Sequence, residues 1–205
     1  MKTRPLLISL AGAALSLMLF AWLAEEMLEG DMTRFDTVVR QFVHSWSSPR
    51  LTIAMQFMAF IGSPLFVSLL TAIGSAALWI AGRRRKARTL AITVVGGSLL
   101  MWVLKISFHR PRPTPFFDTP LPSSWSFPSG HALLSFCFFG IAAALFNADR
   151  RPLWLRTLVW TLAALLVASI GLSRIYLGVH YPSDVVAGYL GGFVWLLGVR
   201  LAWLR

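Results

Sequence analysis

Residues 157–203 read TLVWTLAALLVASIGL, then SRIYLGVHYPSD, then VVAGYLGGFVWLLGVRLAW. Two apolar runs, 157–172 and 185–203, bracket a polar stretch that carries Arg174, His180 and Asp184. A bilayer core of about 30 Å takes roughly 20 helical residues, because only a helix closes its own backbone hydrogen bonds in hydrocarbon. Both runs come near that length, so the pair reads as two membrane-spanning helices joined by a polar loop.

Four further stretches upstream read the same way: 6–24, 64–81, 89–105 and 128–146. The expected fold is an all-α integral membrane bundle of six transmembrane helices forming one domain over 1–205. The first stretch follows Lys2 and Arg4 as a signal peptide would, but it is longer than a usual apolar signal core of about 7–15 residues. Bulky Trp22 also sits three residues before any cut after Ala24, so the segment reads as a retained anchor. The apolar run 51–82 would extend about 48 Å as one helix. Gly62, Ser63 and Pro64 interrupt it, which predicts a span over 64–81 with 51–61 lying at the interface.

Composition agrees. The 205 residues are 57% hydrophobic and 13% charged, with a mean hydropathy of +0.68, whereas soluble domains run about 45–50% apolar and about 25% charged. The single cysteine, Cys137, excludes an internal disulfide and a cysteine-rich metal site, and reads as a small buried hydrophobe.

The net charge of +11 would suggest nucleic acid in a soluble protein, but its distribution points elsewhere. With six crossings and the N-terminus inside, the inner segments hold Lys2, Arg4, Arg83, Arg84, Arg85, Lys86, Arg88, Arg150, Arg151, Arg156, Arg200 and Arg205 against Asp149 alone. The outer segments balance Arg34, Arg40, Arg50, Lys105, Arg110, Arg112 and Arg174 with Glu25, Glu26, Glu29, Asp31, Asp36, Asp118 and Asp184. This is the positive-inside pattern, and it predicts both termini in the cytoplasm and no nucleic-acid partner. The run from Arg83 to Arg88 reads as a topology anchor beside anionic lipid.

Between the first two spans, Phe35, Val38, Val39, Phe42, Val43 and Trp46 recur at helical spacing, and Thr33 with Asp36 offers a capping box. An amphipathic helix over 33–46 is expected to rest on the outer interface with Arg34 and Arg40 on its polar side, its apolar stripe explained by helix packing.

Three outer segments carry polar residues that a bilayer would not select. Lys105 closes the third span and Arg112 follows on a proline-stiffened arm, K-I-S-F-H-R-P-R-P. Pro128, Ser129, Gly130 and His131 open the fourth span, where proline suits the first turn and the free N–H groups of a helix start can bind an anion. The loop before the last span holds Arg174, His180 and Asp184. His180 and Asp184 would meet on one helical face, or across a turn if Pro182 forbids the helix. A carboxylate on one ring nitrogen fixes the tautomer and leaves the other nitrogen basic. All three segments open on one face and can converge, supplying Lys105, Arg112, Arg174 and a helix N-terminus for a phosphate, with two histidines beside them.

These segments resemble the three signature motifs of the type 2 phosphatidic acid phosphatase superfamily, K-x6-R-P, P-S-G-H and S-R-x5-H-x3-D, in order and with every specified position filled. The layout is similar to the family's membrane-bound lipid phosphatase branch. The resemblance implies that His180, oriented by Asp184, attacks phosphorus to form a phosphohistidine, and that His131 protonates the leaving oxygen. It implies that Lys105, Arg112 and Arg174, with the Ser129 side chain and the Ser129 and Gly130 amides, hold the phosphate oxygens. It further implies no metal and no other cofactor, a membrane lipid phosphate as substrate (undecaprenyl diphosphate before phosphatidylglycerol phosphate or phosphatidic acid), and a bacterial cytoplasmic membrane with the site facing outward. Phosphotransfer through the same intermediate is the nearer alternative; a transporter, which would place charges mid-span, is the distant one. Arg110 and His109 are expected to line the entrance, Ser173 to bond the loop backbone, Tyr176 and Tyr181 to pack, and 114–127 to form an apolar lid.

Overall fold

A computed structural model describes residues 3–117, 121–149 and 151–203; Lys2, Asp118, Pro120, Arg150 and Arg205 lie outside them. Among the described residues every regular element is helical: α1 Thr3–Glu29, α2 Met32–His44, α3 Pro49–Ile61, α4 Pro64–Ile80, α5 Arg84–Phe108, α6 Gly130–Asn147, α7 Leu153–Tyr176 and α8 Pro182–Trp203. Five of them, α1, α5, α6, α7 and α8, are long and apolar enough to cross a bilayer, and α3 with α4, bent by 50°, makes a sixth if the pair is one span.

Local chemistry sets the boundaries. Ser48 and Ser63 accept hydrogen bonds from Leu51 N and Phe66 N, and each precedes a proline at the first helical position. That is a cap followed by a residue whose missing N–H costs nothing there. The break at Gly62 and Ser63 is therefore two helix ends back to back. α5 and α7 run several residues beyond the spans read from hydropathy, because the charged residues at their ends, 84–88 and Lys105 in α5 and Arg156 and Arg174 in α7, stay helical.

Three apolar clusters hold the bundle. Val67, Leu90, Val94, Leu133, Cys137 and Ile141 join α4, α5 and α6. Val43, Ala59, Tyr176, Leu177 and Val179 join α2, α3 and the end of α7. Ala24, Phe127 and Ala187 join α1 to α8 and to the segment before α6. Polar bonds add to this where water is scarce: Trp195 Nε1 donates to Thr93 O at 2.7 Å and the Tyr189 hydroxyl to Val167 O at 2.8 Å.

The C-terminal ends of α5 and α7 and the N-terminal ends of α6 and α8 gather at one end of the bundle. At the opposite end Arg83 and Lys86 pair with Asp149 at 3.0 and 2.9 Å. Part of the basic run is thus tied to the α6–α7 connection and does not face lipid alone.

α2 corrects two expectations. Asp36 makes no capping box: the helix starts after Asp31 without a side-chain cap, and Asp36 is fully buried. Arg40, half-buried, turns toward the bundle and donates to Thr114 O and Gly178 O. The face toward the bundle carries Asp36, Arg40 and Val43, while Phe35, Val38 and Phe42 are exposed. The polar stripe turns inward because its partners lie on the bundle.

Candidate active site

Lys105, in the last turn of α5, is buried and donates through Nζ to the carbonyls of Trp125 and Ser126. Arg112, on the arm beyond α5, donates from Nε to Ser124 O at 2.8 Å and from Nη1 to Val179 O at 3.0 Å. Burial lowers its pKa and the field of Asp184 raises it in part. Arg174, in the last turn of α7, is 7% exposed, and its buried Nε finds no hydrogen-bond partner among the described residues. The segment 121–127 is therefore more than an apolar lid, since its carbonyls hold two of the cations.

The start of α6 differs from the expected arrangement. Pro128 precedes the helix, Ser129 is its cap and Gly130 is the first helical residue. The Ser129 amide is already spent on Asp184 O at 2.9 Å, and its hydroxyl oxygen accepts from Ala132 N at 3.5 Å. The Ser129 N–H is thus not a free phosphate donor; Gly130 N–H, in the first turn, has no intrahelical acceptor. His131 follows, within the fields of Arg174, His180, Arg112 and Lys105.

His180 lies outside the helix. Pro182 begins α8, so the pair with Asp184 forms across the turn, Nδ1 to Oδ2 at 3.2 Å. Arg112 Nη1 lies 3.1 Å from His180 Nε2. A guanidinium can only donate, so Nε2 accepts and the ring proton sits on Nδ1, facing Asp184. The turn itself needs Gly178 at φ +74, where a Cβ would stand 2.6 Å from Phe116 N. Burial holds the His180 pKa down at about 3, against the raising influence of Asp184.

Asp184 is enclosed. Its Oδ2 also accepts from Ser126 Oγ at 2.5 Å and Tyr181 N at 2.9 Å, and its Oδ1 accepts from Arg110 Nη1 at 2.6 Å. Arg110, expected only to line the entrance, also pairs with Asp36 at 2.7 Å. Arg40 and Arg110 thus lie in the field of both Asp36 and Asp184, Lys105 and Arg112 in that of Asp184, and Arg174 beside Arg112, so cations outnumber carboxylates in the site. Ser173 bonds Ile170 O within its own helix, Tyr176 meets Thr52 Oγ1 at 2.8 Å, and Tyr181 stacks on Arg110 at 4.0 Å.

Sequence reasoning missed Ser126, Ser183 and the inward role of Asp36. One signal was legible for Asp36: a charged residue four before Arg40, on the same helical face as Val39 and Val43.

The model of the PAP2 superfamily matches residues 86–205, which contain all three polar segments. The chain belongs to the PAP2 superfamily. Among PAP2 and related proteins it is 34% identical to the undecaprenyl-diphosphatase of Sulfolobus acidocaldarius over 62% of this chain and 61% of that protein. It is 29% identical to phosphatidylglycerophosphatase B of Bacillus subtilis over 71% and 72% of the two chains. The chain thus matches about three fifths of the archaeal relative's length. Its fold is similar to the crystal structure of a transmembrane PAP2-type phosphatidylglycerolphosphate phosphatase from B. subtilis, with a TM-score of 0.85, 25% identity and 93% and 94% of the two chains covered.

Proposed function

We propose that this PAP2 protein is a lipid phosphatase that removes the terminal phosphate of a membrane lipid at the outer face of the membrane, through a phosphohistidine. The observation that carries the reading is His180: its Nε2 lone pair, set by the Nδ1 contact to Asp184, points at Arg112 within a site where cations outnumber carboxylates.

When phosphate enters, Arg112 Nη1 turns from Nε2 to a phosphate oxygen, and the freed His180 Nε2 attacks phosphorus in line. A P–N bond forms as the bond from phosphorus to the leaving oxygen breaks, and His131 gives that oxygen its proton. The imidazolium that develops is stabilised by Asp184 through Nδ1–H. Arg112, Arg174 and Lys105, with the Gly130 amide, hold the equatorial oxygens as charge shifts outward. His131 then takes a proton from water, which attacks phosphorus, and the P–N bond breaks to release inorganic phosphate. Fixed cations fill the role that a metal plays in many phosphoryl-transfer sites, so turnover needs no metal and no cofactor.

The substrate is a lipid phosphate, with undecaprenyl diphosphate favoured and phosphatidylglycerol phosphate and phosphatidic acid also accepted. The 34% identity to an undecaprenyl-diphosphatase and the likeness to a phosphatidylglycerolphosphate phosphatase support the first two of these. The charge asymmetry supports both termini inside a bacterial cytoplasmic membrane and the site outside, with the chain acting as one membrane-embedded domain.

The test is phosphate release from these three lipids by purified protein, with and without EDTA, beside His180→Ala and His131→Ala. Wild-type protein should turn over equally in EDTA. Both variants should lose at least about 10²-fold in kcat, as general acid and nucleophile removal typically cost. Wild-type rates in both variants, or an absolute need for magnesium, would overturn the assignment.

A further inference from the structure

Asp36 is not used in the chemistry above, yet it is the most enclosed charge on α2, with a relative exposure of 0%. A buried carboxylate is tolerated only when its oxygens are matched by donors, and each of these is. Oδ1 accepts from Ser183 N at 2.9 Å; Oδ2 accepts from Ser183 Oγ at 2.7 Å and Arg110 Nη2 at 2.7 Å. Ser183 is the second residue of α8, so Asp36 caps that helix from another element, satisfying an N–H that no intrahelical carbonyl can reach. Arg110 continues the chain of contacts. Its Nη1 donates to Ser183 Oγ at 2.7 Å and to Asp184 Oδ1 at 2.6 Å, and the Tyr181 ring lies 4.0 Å from its centre.

We propose that Asp36 and Arg110, which share Ser183 as a partner, are positioning residues that fix, through Arg110, the Asp184 carboxylate that orients His180, so that the site is competent only while α2 is seated on the bundle. The inference rests on the lipid phosphatase reading. Arg110 is the donor to Asp184 Oδ1, whereas Oδ2 is shared by His180, Ser126 and Tyr181. Without Asp36 the guanidinium loses the anchor at its other end, the carboxylate turns, and the His180 ring loses the contact that aims Nε2. Arg110 commits Nη1 and Nη2 to carboxylates and serine, so it acts through Asp184 and not on phosphate. The motifs of the second and third segments fix His131, His180 and Asp184; K-x6-R-P leaves position 110 open, and Asp36 lies outside all three.

The experiment uses the full chain purified in detergent, with dioctanoyl phosphatidic acid and p-nitrophenyl phosphate as probes. Variants are Asp36→Asn, Arg110→Gln, their double and Ser183→Ala, with competent sites counted by orthovanadate binding. Each of the first two should lower kcat on the order of 10²-fold, the scale of a misplaced reacting group, with KM and vanadate stoichiometry near wild type. The double variant should lose no more than the worse single, because both residues act in one linkage. Ser183→Ala, which removes only the shared hydroxyl, should lose kcat in the same direction without loss of vanadate sites, and it decides the matter if the others fail to fold. Wild-type kcat in Ser183→Ala and Asp36→Asn, multiplicative losses in the double, or losses that only track missing vanadate sites would overturn the proposal. His180→Ala run alongside separates the two readings: if it retains turnover the phosphatase reading fails, and if it is inactive while Asp36→Asn is unaffected only the positioning role fails.

Discussion

His180 is neutral because burial forbids it a charge, and this has a consequence for stability. Between about 3 and its ordinary value near 6.5 the unfolded chain carries a proton that the native site refuses. Stability therefore rises with pH across that window, is free of the penalty above it, and falls as pH drops, by up to about 1.4 kcal/mol per pH unit. Denaturation in detergent between pH 7.5 and 5 should show wild type losing more than His180→Gln; equal slopes would contradict a buried neutral imidazole. At this scale the pairing of His180 with Asp184 was legible, because a spacing of four reaches on a helix or across a turn. Ser126 was not legible: it lies 54 and 58 residues from its two partners, and a serine in a proline-rich loop carries no signal of what it faces.

At the scale of elements, α8 is pressed against the start of α6. A Cβ on Gly188 would stand 2.7 Å from Ser129 O and 2.9 Å from the Ala132 Cβ, neither of which can swing aside. Gly188→Ala should push α6 outward at its cap, cost about 1–3 kcal/mol as overpacking does, and lower kcat by displacing Gly130 and His131. Gly198→Ala, on the same helix with nothing within 4 Å, is the matched control. Thermal midpoints and rates of the two variants check this, and equal behaviour would count against it. The helices themselves were legible from hydropathy to within a few residues. The inward face of α2 was legible only in the spacing of Asp36 and Arg40, because its apolar residues fall on both the exposed side, at Phe35, Val38 and Phe42, and the buried side, at Val43.

For the whole molecule, charge distribution and site placement make one prediction together. The Arg83, Lys86 and Asp149 cluster lies at the end opposite Lys105, Arg112 and His180. In intact cells an impermeant maleimide should label Trp125→Cys, beside the site, and should reach Arg84→Cys only after permeabilisation. The native Cys137 is buried and contributes little background. Labelling of Arg84→Cys from outside would reverse the proposed orientation.

The amino-acid order alone determined that this chain is a membrane helix bundle and which residue types could meet a phosphate, since hydropathy, charge bias and short spacings are local properties. Only the tertiary structure decided which cations are committed and which remain available. Arg110 is neutralised by Asp36 and Asp184, each 74 residues away from it, and Asp36 reaches Ser183 across 147 residues. Charge pairing in a dry site depends on distance in space, where a few ångströms change the energy severalfold, and no local pattern encodes that separation.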